Sequence, residues 1–139
     1  MDKPKHIALN VAVAGAIALL LIWGTTQYRQ WSQFSKGDQA LASGDYIGAI
    51  AGYEAAIHMY TPLSPLVGRA ADKLWLIAQT LEQRGDTAKA LVAYRSLRSS
   101  FYAVRGLYAP GREWIDKCDA RIAALIGTPA PLPQQPARP

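Results

Sequence analysis

Residues 7–24 read IALNVAVAGAIALLLIWG, eighteen positions without one charged side chain. As a helix the run is roughly 27 Å long, close to the hydrocarbon thickness of a bilayer. Asn10 is its one strongly polar residue. Trp23, Tyr28 and Trp31 follow at its far end, where amphipathic rings favour the membrane–water interface. A helix apolar on every side needs either lipid or a large surrounding core, and a 139-residue chain has too little left over to build that core. A cleaved signal peptide with Lys3 and Lys5 as its basic region is the rival reading. The length of the run and the bulky Trp23, followed by Gly24-Thr25-Thr26-Gln27, make a poor cleavage junction. The expectation is an uncleaved single-pass transmembrane helix over 7–24, preceded by a short basic segment at 1–6.

Lys3, Lys5 and the amino terminus before the run, against Arg29 and Lys36 after it, slightly favour a cytoplasmic N-terminus. The rest of the chain then lies on the opposite side, periplasmic in a bacterium. Ala8, Ala12 and Ala16 fall four apart with Gly15 beside them, giving the helix one smooth face. Such a face permits close pairing with another helix, and Asn10 can hydrogen-bond across it. Alanine is also simply common in anchors, so the pairing stands as one of two readings.

Composition removes several chemistries. Cys118 is the single cysteine, so no intramolecular disulfide exists, and with only His6 and His58 beside it no Cys/His zinc site can form. There is no Gly-rich phosphate loop, no nucleophile elbow and no metal-ligand spacing. Asp72, Asp116 and Asp119 read as solvated helix charges. His58 reads as structural, and Cys118, on an apolar face, as an inert buried thiol. No catalytic residue, cofactor, metal or small-molecule substrate is expected.

The polar part contains an internal repeat. Gly44-Asp45, Ala49 and Tyr53 align with Gly85-Asp86, Ala90 and Tyr94 after a shift of 41 residues. Glycine supplies the left-handed conformation that ends one helix, and aspartate caps the next. Ala49, Ile50, Tyr53, Ala56, Ile57 and Tyr60 then recur at helical spacing, as do Ala90, Leu91, Tyr94, Leu97 and Phe101. Leu66, Ala70, Leu74, Ile77, Ala78 and Leu81 form a further stripe before Gly85, and Ile115, Cys118, Ile122 and Leu125 another near the end. Prolines place the connections at Tyr60–Pro65 and Tyr102–Gly111. Five helices result: an all-α chain of two helical hairpins and a solitary capping helix. Gly24 weakens a helix without ending it, so the anchor is expected to continue into the first hairpin as one rod.

The Gly-Asp turn followed by Ala, aromatic and Ala at fixed spacing resembles the tetratricopeptide repeat over residues 30–102. That resemblance implies a helical solenoid over 25–127 that binds protein through the concave face of its first helices. It places Trp31, Phe34, Asp38, Leu41 and Ala42 of the first hairpin in the groove. Asp72, Trp75, Gln79, Glu82 and Gln83 of the second are placed there too. Trp75 has a second reading, in which the neighbouring hairpin covers it. Tetratricopeptide domains that grip a terminal carboxylate use Lys, Asn and Arg in the groove, and the matching positions here lack them. The layout is similar to that of accessory tetratricopeptide proteins attached to bacterial envelope complexes.

Lys89, Arg95, Arg98, Arg105 and Arg112 follow one another with no acid between Asp86 and Glu113, interleaved with Phe101, Tyr102 and Tyr108. The stretch is either a solvated convex face or a basic patch for anionic lipid or an acidic protein. No nucleic-acid motif accompanies it, and no nucleic-acid partner is expected. Residues 128–139 hold five of the nine prolines and read as a disordered tail, a spacer or a ligand. The functional expectation is a membrane-anchored adaptor or accessory subunit of a membrane protein complex. The alternative is a basic module that binds the surface of an anionic membrane.

Overall fold

Gly24 does not interrupt the first helix. In the computed structural model, which describes residues 3–61, 64–106 and 109–127, α1 runs unbroken over Lys3–Ala42. Its 40 residues span about 60 Å. The Thr25 and Thr26 hydroxyls both donate to the Ile22 carbonyl at 2.9 Å, so the first polar residues after the apolar run are satisfied within the helix. Residues 4–25 are exposed on every side, and α1 is long and apolar enough to cross a bilayer. The first buried side chain is Gln30.

Four more helices follow among the described residues: α2 (Tyr46–His58), α3 (Pro65–Gln83), α4 (Thr87–Ala103) and α5 (Arg112–Gly127). No strand occurs among those residues, and the chain is all-α. The outer half of α1 packs antiparallel on α2, and α3 packs antiparallel on α4. α5 closes the stack against α4. One layer therefore holds α1, α3 and α5, and the other holds α2 and α4. The expected proline-rich tail at 128–139 and the residues Pro62, Leu63, Leu107 and Tyr108 of the two connections lie outside the described residues.

The two hairpin turns are built alike. Gly44 and Gly85 take φ of 78° and 77°, the left-handed region that a Cβ disfavours. Asp45 N–H donates to Ala40 O at 2.9 Å and Gly44 N–H to Leu41 O at 3.0 Å. Asp86 and Gly85 repeat the pair on Leu81 and Glu82, at 2.9 Å each. This is a Schellman ending, which satisfies carbonyls that the helix leaves open. The same aspartates then start the next helix: Asp45 Oδ1 accepts from Gly48 N–H at 2.9 Å, and Asp86 Oδ1 from Lys89 N–H at 3.1 Å. One residue thus ends a helix with its backbone and opens another with its side chain.

Small residues set how closely α1 and α2 pack. A Cβ on Gly52 would stand 2.6 Å from the Gly37 nitrogen, so the two backbones meet where neither has a side chain. Beside that contact Phe34 and Tyr53 pack at 5.3 Å between ring centroids. In the second hairpin Ala78 and Ala93 occupy the shifted positions, both buried, and Trp75 meets Tyr94 at 5.1 Å. Buried Gln30 ties three helices together. Its Nε2 donates to Ala56 O at the end of α2 at 3.0 Å, and its Oε1 accepts from the α3 cap Ser64 at 2.6 Å. With both ends of the amide bonded, a fully buried polar side chain is tolerated. α5 buries Ile115 and Cys118, which a shift of 41 aligns with Leu74 and Ile77 of α3.

Candidate functional site

The layer of α1, α3 and α5 is joined side chain to side chain. Lys73 Nζ on α3 lies 3.7 Å from Asp38 Oδ1 on α1, and Arg121 on α5 pairs with Glu82 on α3. Each acid also accepts from a core tyrosine of the layer behind. Tyr53 Oη donates to Asp38 Oδ1 at 2.6 Å, and Tyr94 Oη to Glu82 Oε2 at 2.8 Å. Burial, with the Asp38 hydrogen bond and charge second, holds the Tyr53 phenol well above the usual tyrosine range. Burial likewise raises Tyr94. Asp38 and Glu82 were expected to face a partner; the structure has each of them engaged with both a tyrosine and a cation of its own chain.

The remaining expected groove residues separate into two groups. Trp31, Asp72, Gln79 and Gln83 stay on the surface of the layer or at its edge, with Trp31 56% exposed and its ring 6.4 Å from Tyr28. Gln79, Glu82, Gln83 and Arg121 line a pocket of about 240 Å³ between α3 and α5. Phe34 is a correction. It is only 3% exposed, packed on Tyr53 and covered by the Arg69 guanidinium 5.0 Å above its ring. Its apolar ring is worth more in the core than in the groove. Trp75 takes the second of its two readings, half-buried between Tyr94 and Trp114, whose ring lies 6.0 Å away on α5. Leu41 is half-buried against the core, whereas Ala42 is exposed.

Leu76, 56% exposed on the surface of α3, was missed. It sits four residues after Asp72 and three before Gln79, on the face they share, a spacing visible in the sequence. Lys73 and Arg121 were missed for a different reason: their importance depends on which helix lies beside them.

The basic stretch is not one patch. Lys89 and the end of α4 at Ala103 are separated by 14 residues, about 21 Å along the helix. Lys89 pairs with Asp86 at 3.0 Å at one end of the bundle. Arg98 turns toward α5, where Asp119 Oδ1 lies 2.5 Å from its Nε and the Tyr102 ring 5.1 Å from its guanidinium. Arg105, beyond the end of α4, also stacks over the Tyr102 ring, at 4.3 Å. Arg95 and Arg112 are exposed. The acid that divides the stretch, Asp119, comes from later in the chain. The expected pairing residues Ala8, Asn10, Ala12, Gly15 and Ala16 all lie exposed on the apolar part of α1.

Ser96, Glu54 and His58 come within reach of one another. Ser96 Oγ donates to Glu54 Oε2 at 2.5 Å, and His58 Nε2 lies 3.9 Å from Glu54 Oε1. The carboxylate sits between the other two, so the order needed to activate a serine, with histidine in the middle, is not formed. The pairing instead joins α2 to α4. Burial, with Asp119 adding to it and Arg98 opposing, pushes the Cys118 thiol up to about 12, which suits a packing residue. Among the described residues no group of three or more His, Cys, Asp and Glu could hold a metal ion.

Comparison of the chain with protein-family models, with curated proteins and with solved structures found no match.

Proposed function

We propose that this chain is a membrane-anchored, tetratricopeptide-like adaptor or accessory subunit that acts by binding another protein of a membrane complex. One observation carries the reading: α1 is a single helix in which the apolar run and the first helix of the hairpin stack are continuous. A partner held on the stack is thereby kept at the bilayer, where its effective concentration is raised. The binding face is the surface of α1 and α3 that carries Trp31, Asp72, Leu76, Gln79 and Gln83. Trp31 and Leu76 supply apolar anchors at its surface, and the polar residues supply hydrogen bonds around them. Lys3 and Lys5, within four residues of the apolar run, are its cytoplasmic flank in this reading, with the stack on the opposite side.

The test is site-specific photocrosslinking of the full chain in its native membrane. A probe at Leu76 or Gln79 is expected to capture one defined protein. A probe at Arg95, on the other layer, is expected to give none. Equal capture from all three positions, or capture from Arg95 alone, overturns the face assignment.

A further inference from the structure

The bundle has two unlike ends. Its far end carries the Gly-Asp turns, where Asp45 and Asp86 sit beside Arg84 and Lys89. The near end is where the stack meets the apolar part of α1. Gln30 marks its level, since it bonds both Ala56 at the end of α2 and Ser64 at the start of α3. A cleft of about 240 Å³ lined by Tyr60, Val67, Phe101, Gly111 and Trp114 brings the ends of α2 and α4 and the starts of α3 and α5 together there. Gln30 lies six residues beyond Gly24, about 9 Å along the helix. The headgroup layer of one leaflet is about 5–8 Å thick. With residues 7–24 in the hydrocarbon, the near end therefore abuts the headgroups, and an unbroken α1 leaves no linker that would lift it away.

Cations outnumber acids at that end. Arg29 on α1, Arg69 near the start of α3, Arg105 after α4 and Arg112 at the start of α5 are all exposed. Among the described residues none of the four forms an ion pair with an acid. Farther out, Lys73, Lys89, Arg98 and Arg121 each meet a carboxylate. Lys36 and Arg95 lie exposed between the two ends. Glu113, which lines the cleft, and Asp116, one turn farther along α5, are the acids beside Arg112, and His58 ends α2 nearby. Exposed Tyr28 and Tyr102 accompany the arginines, Tyr102 stacked against Arg105. Cations with amphipathic rings are the groups that an anionic bilayer surface attracts.

We propose that this near end is a docking surface for an anionic bilayer, in which Arg29, Arg105 and Arg112, with Arg69 behind them, contact lipid phosphates. The contact holds the stack at a set orientation on the membrane, so that the α1–α3 face points along the bilayer toward neighbouring membrane proteins. The inference rests on α1 spanning the membrane, and it makes Arg105 and Arg112 lipid contacts instead of parts of a protein-binding patch.

The test uses the full chain in nanodiscs of phosphatidylcholine alone or with phosphatidylglycerol added. Backbone amide exchange is followed over 101–114. Exchange is expected to be about fivefold slower in the anionic discs, and high salt should remove the difference. Arg105→Glu with Arg112→Glu should abolish it. Arg105→Lys with Arg112→Lys should keep it, and the circular dichroism of both variants reports their fold. Insertion into both discs with equal exchange overturns the docking surface and leaves the anchor standing. Failure to insert into either disc overturns both.

Discussion

Phe34 and Tyr53 pack ring to ring at 5.3 Å, and 41 residues on Trp75 and Tyr94 repeat the contact at 5.1 Å. The pair sits in each hairpin at the same height, one ring from the first helix and one from the second. In both, the tyrosine reaches past its partner to a carboxylate on the first helix, Asp38 or Glu82. Those two acids are not equivalent under the shift; Glu82 lies three residues beyond the position that matches Asp38. About one helical turn separates them, so each hairpin satisfies its buried hydroxyl with whichever acid its own first helix offers.

Trp75 and its neighbour Leu76 should behave oppositely. Trp75→Ala removes a ring held between Tyr94 and Trp114 and is expected to destabilise the stack by about 2 kcal/mol or more. Leu76→Ala, on the exposed face, should stay within about 0.5 kcal/mol of the parent. Urea unfolding of the full chain in detergent, followed by circular dichroism, gives both values. Equal losses would mean that Trp75 does not carry the contact between α3 and α5.

Glycines in α1 and α2 differ by their surroundings. Gly52→Ala places a methyl 2.6 Å from the Gly37 nitrogen and should cost about 1–3 kcal/mol, because backbone cannot move aside as a side chain can. Gly24→Ala meets nothing within 4 Å and should leave the stack unchanged while favouring the helix by about 0.5–1 kcal/mol. Thermal melting of the two variants side by side tests the contrast.

Tyr53 and Tyr94 should keep their protons past pH 10 for as long as the fold holds, since burial raises both. A phenol raised in the folded state contributes stability below its unfolded pKa of about 10, and that contribution is lost as pH rises through the folded value. Absorbance at 295 nm should therefore show a late phase that coincides with unfolding. Tyr53→Phe with Tyr94→Phe should remove that phase. Cys118 gives a parallel readout: a thiol raised to about 12 should resist a thiol reagent at pH 8 and react fully in denaturant.

Acid should weaken the second turn. The Lys89 ammonium, followed by its backbone N–H, holds the Asp86 carboxyl below its usual value. A lowered carboxyl contributes stability above its unfolded pKa of about 3.9, and that contribution disappears as pH falls through the folded value. Asp86→Asn keeps the cap geometry without the charge. Its melting temperature should lie below the parent's at pH 6 and converge with it in acid. A constant gap over that range would show that the charge contributes nothing.

Much of the fold is legible from local rules. Gly44-Asp45 and Gly85-Asp86 announce both turns, because a left-handed residue followed by a capping side chain has few other uses. The stripes through Tyr53, Leu74 and Tyr94 place most of the core, since helical spacing alone puts those residues on one side. Gln30 was not legible, because its two bonds go to Ala56 and Ser64, more than twenty residues away. The surface was read less well than the core. Phe34 and Trp75 lie at the edges of their stripes, and only the neighbouring helix decides whether an edge residue is covered.

By itself the sequence determined a charge-free run long enough to span a bilayer, the repeat of 41 residues and the all-α class, because each follows from spacing within one helix or turn. Tertiary structure decided what happens between helices. It turned Phe34 inward under Arg69, and it brought Asp119 to Arg98, so that a basic run in the sequence became a set of separate cations, Lys89 and Arg98 paired with acids and Arg95, Arg105 and Arg112 exposed. The physical reason is that burial and pairing depend on what an adjacent helix presents. That partner is chosen by packing and lies too far along the chain for any local rule to find.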